Sequence, residues 1–464
     1  MRRPWRISWG MKWFILCLVF WVSPLAAEQV PQSAAQVQLS FVPVVKQAAP
    51  AVVNIYAKVM REVRPTPLQS DPFFERFFCD PLTDRQPRVQ NSLGSGVILS
   101  AAGIVVSNYH VVGMATDIRV VLTDRREFSA RVLLGDEHSD LAILKIDAPD
   151  ALPFLDLQAS DSVEVGELAL AIGNPFGVGQ TVSSGIVSGR ARGGAGRGHF
   201  IQTDAPINPG NSGGALVNMA ARLVGVNTLI LTQSGGSNGI DFAIAADPVA
   251  AFVAQANEGR SGFERPWAGI SGQPLDAEMA TTLGFDGSGR IIVSGLHPMS
   301  PFLEAGLTVG DVILTVGNQQ MNTTSEMIYR MSVAGVDAQV EVCFSRQGVE
   351  REVKVALLSA PEQPPRDTLV LPRTSLFSGL TLARIDPAVL SELNLSLEVE
   401  GVAVVDAGPV GGRAGLRTGD VVLAINGLVV SAPDDVAVLM SEQLHRIEMV
   451  VQRGARRITM RFRG

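Results

Sequence analysis

The chain has 464 residues, which at roughly 150 residues a domain predicts about three domains. Hydrophobic residues make up 46% of it, enough to bury several cores and to exclude wholesale disorder. The net charge is -7, and the arginines of residues 190–197 and 453–463 have only one aromatic residue, Phe462, among them. Both observations argue against nucleic acid as a partner.

The N-terminus has the pattern of a secretory signal peptide. Basic residues precede an unbroken apolar run at residues 13–22, and small residues follow it as far as Ala27. We predict cleavage after Ala27, a signal peptide over residues 1–27 and export out of the cytoplasm, to the periplasm. Because a run of this length is short for a membrane span, an uncleaved N-terminal anchor is the alternative.

Cysteine is scarce for an exported chain. Cys17 lies in the predicted signal peptide, which leaves Cys79 and Cys343 far apart in sequence. Two thiols are too few ligands for a structural zinc site. We therefore expect two free thiols, and neither a metal nor another cofactor.

A cluster of four phenylalanines lies at residues 73–78, before the first strongly β-like segment. Such a group is costly to leave in water, because large exposed apolar patches usually mark an interface. Two interpretations stay open. The cluster docks on its own domain, or it contacts another subunit or a substrate.

From residue 93 to about residue 247 the sequence reads as short strands separated by glycine. Residues 118–122 and 128–134 flank a polar turn and predict a hairpin, and residues 141–146 predict a further strand. No long helical period interrupts them. The pattern predicts a mostly β fold of antiparallel barrels or sandwiches.

The last two hundred residues contain an internal repeat. Residues 305–314 recur at residues 414–423, an offset of 109 residues, and a strand-like segment precedes each copy. Each copy is therefore a small domain rather than a solenoid unit. The proline-containing residues 361–373 are predicted to be the linker between the two copies.

A glycine-rich turn supplies a candidate nucleophile. Ser212 lies between Gly210-Asn211 and Gly213-Gly214, where a serine hydroxyl can be exposed on a sharp turn. The backbone N–H groups of Gly210 and Ser212 can converge on one point and form an oxyanion hole. An ordinary glycine-rich turn is the competing interpretation of this stretch taken alone.

A serine nucleophile needs a base and an orienting carboxylate. Of the five histidines, His110 follows an apolar stretch, whereas His138 lies in a polar turn. Asp140 directly precedes the predicted strand at residues 141–146. The order His110, Asp140, Ser212, with gaps of 30 and 72 residues, suits two barrels of which the first supplies the histidine and the aspartate.

Five stretches together resemble the HtrA/Deg family of serine proteases. They are SNYHVV around His110, SDLAILKI from residue 139, IGNPFG at 172–177, QTD at 202–204 and GNSGGAL around Ser212. The resemblance covers the chain from about Phe41 to its end. It implies a chymotrypsin-like double β-barrel protease over residues 28–258, and PDZ domains over residues 262–360 and 374–464.

The resemblance also implies roles for individual residues. His110, Asp140 and Ser212 match the family's catalytic triad, and Gly210, Asn211 and Ser212 match its oxyanion-hole backbone. The substrate pocket maps onto Ile207, Leu229, Ile230 and Leu231. No buried acid is evident at this apolar pocket, so we expect cleavage after Val, Ala or Ile rather than after Lys or Arg.

PDZ domains bind a peptide as an added strand and hold its terminal carboxylate on the N–H groups of an apolar-Gly-apolar turn. The first copy offers this turn at Trp267, Ala268, Gly269 and Ile270, and the second offers it at Phe377, Ser378, Gly379 and Leu380. We expect peptide C-termini to bind there. The alternative for one copy, more readily the second, is that it only assembles subunits.

The sequence thus predicts an ATP-independent endopeptidase that degrades unfolded or misfolded envelope proteins. The family implies homo-oligomers built from trimers. A chaperone or scaffold that binds unfolded chains with little cleavage is the alternative from another class. An anchored signalling protease, with the N-terminal segment uncleaved, is the third interpretation.

Overall fold

The structure, a computed structural model, describes residues 40–61, 88–174, 179–192, 199–230, 237–260, 262–285, 289–441 and 446–462. The predicted signal peptide, the phenylalanine cluster at 73–78, Cys79 and Leu231 lie outside these residues. Met1–Pro43 and Val44–Gly464 are separate units, and the second unit contains the folded domains. The fold is mostly β, as predicted. A short helix, α1 (Val42–Ala48), precedes the first strand.

Six antiparallel strands close the first barrel in the order β1-β2-β3-β6-β5-β4. The strands are β1 (Val52–Arg61), β2 (Arg88–Ile98), β3 (Ile104–Ser107), β4 (Asp117–Val121), β5 (Glu127–Asp136) and β6 (Leu141–Ile146). The predicted hairpin is β4–β5, and the predicted strand at residues 141–146 is β6. Apolar side chains such as Ile55, Val105 and Leu144 fill the barrel. A four-residue helix, α2 (Tyr109–Val112), follows β3 and carries His110.

A second closed barrel has the strand order β10-β11-β12-β9-β8-β7. Its strands are β7 (Leu168–Gly173), β8 (Thr181–Arg192), β9 (His199–Thr203), β10 (Ala215–Val217), β11 (Leu223–Ile230) and β12 (Asp241–Ala245). Helix α3 (Ala246–Asn257) ends this part of the chain. Ser212 lies in the turn between β9 and β10, so the second barrel supplies the candidate nucleophile.

The predicted first PDZ domain is a sheet of order β13-β14-β15-β17-β18, with β16 paired to β15. Its strands are β13 (Ile270–Pro274), β14 (Ile291–Leu296), β15 (Val312–Val316), β16 (Gln319–Gln320), β17 (Gln339–Arg346) and β18 (Val349–Ala356). Its helices are α4 (Ala277–Thr282), α5 (Pro301–Glu304) and α6 (Thr324–Ala334). Strand β13 is an edge of this sheet in the described part of the chain.

The predicted second PDZ domain has the order β19-β20-β21-β22-β24-β25, with β23 paired to β22. Its strands are β19 (Leu369–Val370), β20 (Thr381–Arg384), β21 (Val402–Asp406), β22 (Val421–Ile425), β23 (Leu428–Val429), β24 (Ile447–Arg453) and β25 (Arg456–Phe462). Its helices are α7 (Pro387–Glu392), α8 (Gly408–Arg413) and α9 (Pro433–Ser441). Strand β19 comes from the segment that the sequence predicted as linker, and its Leu369 side chain packs against the core of this domain.

The internal repeat is built around one buried ion pair in each copy. Asp311 is 1% exposed and accepts two hydrogen bonds of 2.7 Å from Arg346. Asp420 is equally buried and accepts bonds of 2.6 and 2.7 Å from Arg453. Removing one member of such a pair would leave a buried charge without compensation, so the repeated aspartate has a structural role.

Candidate active site

His110 and Asp140 meet on the first barrel. The carboxylate oxygens of Asp140 each lie 2.9 Å from His110 Nδ1, and one of them also accepts the His110 backbone N–H at 3.0 Å. Because an ionised carboxylate is an acceptor, Nδ1 carries the ring proton in the neutral imidazole. This tautomer leaves Nε2 as the basic nitrogen.

The backbone of Asp140 adopts the left-handed conformation, with φ of 53°. Its carbonyl accepts a hydrogen bond of 3.0 Å from the Asn108 side chain, which joins the turn before β6 to the residue before α2. Burial raises the pKa of the Asp140 carboxyl, but the charge and hydrogen bonds of His110, with a hydroxyl bond from Thr228, outweigh it and hold the pKa below its ordinary value. Asp140 is therefore ionised at neutral pH.

Thr228 connects the two barrels at this point. Its hydroxyl donates to Asp140 Oδ2 at 2.7 Å, and its backbone carbonyl accepts the Ser212 hydroxyl at 3.4 Å. The Thr228 residue is buried, with 5% exposed. The structure thus brings His110, Asp140 and Ser212, which the sequence predicted together, around one threonine that the sequence analysis did not select.

The nucleophile turn is held against the first barrel by close backbone packing. A Cβ at Gly94 would lie 2.7 Å from Val111 and 3.3 Å from the Ser212 carbonyl oxygen. Only glycine at position 94 therefore lets strand β2 approach both Val111 and the Ser212 backbone this closely. The Ser95 amide donates to that same Ser212 carbonyl at 2.9 Å. The Ser95 hydroxyl donates to the Gly210 carbonyl at 2.7 Å.

The residues predicted for the oxyanion hole differ in how their amides are used. The Asn211 N–H donates to the Asn208 carbonyl at 2.9 Å and closes the turn. Within the described part of the chain, the N–H groups of Gly210 and Ser212 have no acceptor. Gly210 has φ of 93°, a conformation that favours glycine.

The structure describes most of the predicted substrate pocket. Ile207 is fully buried and packs in the second barrel's core. Leu229 and Ile230 are the last residues of β11, directly after Thr228, whereas Leu231 lies outside the described residues. Opposite Ile230 on the neighbouring strand is Asp241, a fully buried carboxylate. The expectation that no acid lies buried beside the pocket residues was wrong, because burial here depends on a strand pairing that the sequence alone does not fix.

The predicted carboxylate-binding turn of the first PDZ domain has backbone donors available for a ligand. The Ala268 carbonyl accepts the buried Ser300 hydroxyl at 2.6 Å, and the Gly269 carbonyl accepts the His297 amide at 2.9 Å. Among the described residues the amides of Ala268 and Gly269 have no acceptor. The Trp267 ring lies against His297, and Ile270 begins the edge strand β13. Within the described part of the chain, the turn therefore presents two donors without acceptors, at the end of a strand edge that pairs with no other strand.

The corresponding turn of the second PDZ domain is already occupied. The Gly379 amide donates to the Leu371 carbonyl at 3.0 Å, and the Leu371 amide donates to the Leu380 carbonyl at 2.9 Å. Strand β19 continues this contact by pairing antiparallel with β20. The Leu371 side chain is buried in the domain core. Residues 369–371 thus fill the position that an added peptide strand would take, beside Ser378 and its neighbours.

Charged contacts dock the first PDZ domain on the protease barrels. Arg330 on α6 donates to both carboxylate oxygens of Asp161 at 2.7 and 2.5 Å. Its neighbour Tyr329 lies at the same surface, where burial, with the nearby charge of Asp247, raises the pKa of the phenol to about 12. Arg190, in the arginine-rich stretch, lines the cleft between the two domains.

One grouping of possible metal ligands occurs among the described residues. Carboxylate and thiol atoms of Glu341, Cys343 and Glu352 lie within 4.8 Å of one another on paired strands β17 and β18. The group is partly exposed and lies on strands of the first PDZ domain, outside the two barrels that carry the triad residues, and we assign it no metal. In the part of the chain that the structure describes, no helix is long and apolar enough to cross a membrane.

Known protein families match all three folded regions. A trypsin-like peptidase domain matches residues 94–226, and PDZ domains match residues 268–357 and 401–453. The periplasmic pH-dependent serine endoprotease DegQ of Escherichia coli (strain K12) is 35% identical over 396 residues, 83% of either chain. The periplasmic serine endoprotease DegP of the same strain is 32% identical over 461 residues, 93% of this chain and 94% of that one.

Solved structures of an HtrA-type protease also match this chain. The HtrA-type protease AlgW with a tripeptide is 37% identical, with a TM-score of 0.54 and coverage of 70% of this chain and 98% of that chain. The same protease with a decapeptide is 39% identical, with a TM-score of 0.52 and coverage of 70% and 100%.

Proposed function

This chain belongs to the HtrA/Deg family of trypsin-like serine proteases with two PDZ domains, and on that premise we propose that it is an ATP-independent endopeptidase that degrades unfolded or misfolded proteins of the envelope. The observation that carries the proposal is the contact of Thr228 with both Asp140 and Ser212. It joins the acid of one barrel to the nucleophile of the other, as a two-barrel serine protease requires.

In this mechanism His110 is the general base and Ser212 the nucleophile. Asp140 holds the Nδ1–H of His110 and stabilises the imidazolium that forms when Nε2 takes the serine proton. The Ser212 hydroxyl donates to the Thr228 carbonyl through a long bond of 3.4 Å. Such a bond is weak, so the hydroxyl can turn towards His110 at little cost.

We assign the oxyanion hole to the N–H groups of Gly210 and Ser212, with Asn211 shaping the turn between them. Both N–H groups lack an acceptor among the described residues, which leaves them available for the negative charge of the tetrahedral intermediate. Asn211 N–H is engaged inside the turn. Losing one donor from such a site typically costs about 10²–10³ in turnover.

We further propose that cleavage follows small residues such as Val, Ala or Ile. Ile207, Leu229, Ile230 and Leu231 form the wall of the pocket in this proposal. The complete burial of Ile207 in the barrel supports a narrow pocket, because a closely packed core does not move to admit a long side chain.

The first PDZ domain is proposed to hold the C-terminal carboxylate of a substrate. The amides of Ala268 and Gly269, which have no acceptor among the described residues, and the exposed edge of β13 would provide the carboxylate donors and the strand partner that this mode needs. The second PDZ domain is proposed to serve assembly instead, since residues 369–371 occupy its turn and its edge.

The domain boundaries and the assembly are part of the proposal. The signal peptide is residues 1–27, the protease domain 28–258, the PDZ domains 262–360 and 374–464, and the segment 361–373 joins them. We propose a periplasmic location and a trimer-based homo-oligomer, with the phenylalanines at 73–78 at the subunit contact. Light scattering on the protein lacking residues 1–27 tests the oligomer, and a monomer at micromolar concentration would contradict it.

The central test compares the mature protein with Ser212→Ala on an unfolded model substrate. We expect cleavage by the wild type and none by the variant, because the triad acts as a unit. Suppression of aggregation is recorded in the same samples. If the wild type prevents aggregation without cutting, the chaperone alternative replaces the protease, and cleavage by Ser212→Ala would mean that another nucleophile acts.

A further inference from the structure

Asp241 is a buried carboxylate outside the triad. It begins β12, and none of its surface is exposed. Oδ2 accepts the Ser237 hydroxyl and, at 3.3 Å, the Ile207 amide. Within the described residues, Oδ1 has no hydrogen-bond partner and no basic side chain pairs with the carboxylate.

This arrangement is costly for the free protein. A buried charge normally has an ion-pair partner, and a buried polar atom normally has a hydrogen bond. Burial raises the pKa of the Asp241 carboxyl, and the bonds from Ser237 and Ile207 oppose that rise. An acceptor oxygen that lacks a donor among the described residues is a place where a ligand can supply one.

The position of Asp241 relates it to the substrate pocket. Asp241 lies directly opposite Ile230 in the β11–β12 pair. Ile230 is two residues beyond Thr228, a spacing of about 7 Å along a strand, and Thr228 contacts Ser212. The Asp241 carboxylate also binds the amide of Ile207, five residues before the nucleophile. Two pocket positions on different segments therefore converge on this one acid.

We propose that Asp241 determines specificity at the residue whose carbonyl is cleaved, and that its free oxygen accepts a hydrogen bond from a hydroxyl of that residue. The inference rests on the proposed protease function and refines its small-residue pocket. Among side chains of equal size, the pocket selects the one that ends in a donor. Threonine is therefore preferred to valine, because the two have nearly the same shape and differ in the hydroxyl.

The test uses the full mature protein and peptides that differ at that one residue, which is Val, Thr or Lys. We expect kcat/KM for the Thr peptide to exceed that for the Val peptide by about tenfold or more, the factor expected when a buried acceptor that is otherwise unsatisfied gains a hydrogen bond. In Asp241→Ala the ratio should fall to about one. Asp241→Asn keeps the shape of the side chain. Asp156 is an exposed acid of the same chain, so Asp156→Asn is the matched control and should retain the wild-type Thr-to-Val ratio.

Turnover of the Val peptide shows in each variant that the active site is intact. An unchanged Thr-to-Val ratio in active Asp241→Ala would overturn the inference, while the protease function stands. Preference of the wild type for the Lys peptide would overturn the hydroxyl assignment, because it would place an ammonium group on the carboxylate. Failure of the wild type to cut any peptide or an unfolded protein would instead overturn the proposed function.

Discussion

Arg265 donates to Asp136 Oδ2 at 2.5 Å, and Asp136 lies four residues before Asp140. The same guanidinium donates to the Ser139 hydroxyl at 2.6 Å, and the Ser139 amide donates back to Asp136 at 2.6 Å. Arg265 precedes the turn proposed to bind a carboxylate in the first PDZ domain. The first residues of that domain are thus hydrogen-bonded to the turn that carries Asp140.

Arg265→Ala should lower kcat by roughly tenfold with little change in KM for a short peptide, because a small displacement of Asp140 misorients the base. Burial raises the pKa of Asp136, but the hydrogen bonds and charge of Arg265 reverse that effect and lower it. Arg265→Lys keeps the charge but not the paired donors, and we expect it to recover only part of the rate.

A double-mutant cycle with Asp136→Asn provides the control for this pair. If the two residues act through their contact, the double variant should be about as slow as the slower single variant. Additive losses, or an unchanged pH profile of kcat in all three variants, would assign Arg265 to stability alone.

Thr228→Val should remove the hydroxyl that donates to Asp140 while it keeps the side-chain shape. The bond is to an ionised group, so we expect a loss of about 1.5–3 kcal/mol in the free energy of unfolding and a fall in kcat of roughly tenfold. The pKa of Asp140 should rise. Thr228→Ser retains a hydroxyl and should restore most of the rate. Wild-type kinetics in Thr228→Val would exclude this threonine from the site.

Gly269→Val should reduce degradation of long unfolded chains more than hydrolysis of short peptides. The glycine has φ of 58°, and an added Cβ would lie 2.8 Å from the Trp267 ring, so the turn proposed to hold the carboxylate would be distorted. Equal loss on both substrates would instead indicate that this domain switches the active site.

Gly379→Val is the matched control in the second PDZ domain. It has φ of 81°, but an added Cβ would meet nothing closer than 3.9 Å. Since its turn is occupied by residues 369–371, we expect degradation to change less than twofold. A loss as large as that of Gly269→Val would show that both turns bind substrate.

The pH dependence of stability tests the state of Asp241. Burial raises its pKa in the folded state above the unfolded value of about 3.9. The stability that its protonated form contributes is therefore present below about pH 4 and is lost as pH rises through the folded pKa. Asp241→Asn should raise the Tm by a few degrees at pH 7, and this gain should vanish near pH 4. A gain that is the same at both values would contradict a buried, ionising carboxylate.

The sequence indicated the triad because each member lies in a short local motif: His110 after a strand, Asp140 before one and Ser212 in a glycine turn. Thr228, Asp241 and Arg265 were not predicted as site residues, because their contacts arise between segments far apart in the chain. Asp241, for example, becomes buried through its pairing with Ile230 and Thr203, and no local pattern around it specifies that pairing.

The two PDZ domains also combine features that a local motif predicts with features that depend on contacts between distant segments. Their shared core was visible as a repeat, because Asp311 and Asp420 recur in equivalent segments. The different use of their turns could not be seen in the sequence, since it depends on where Leu369 and Leu371 pack. These two residues lie in a proline-containing stretch that predicted a stiff linker, and their packing on the domain core is a tertiary effect.

The Leu369–Val370 strand and Leu371 form a tethered competitor for any peptide that approaches the second PDZ domain. A short tether gives a local concentration in the millimolar range, so a free chain end of equal affinity at micromolar concentration would rarely displace it. Under the proposed function each subunit then captures one chain terminus, not two. The number of termini held by an assembly would equal its number of subunits, a stoichiometry that is independent of how many PDZ domains the chain contains.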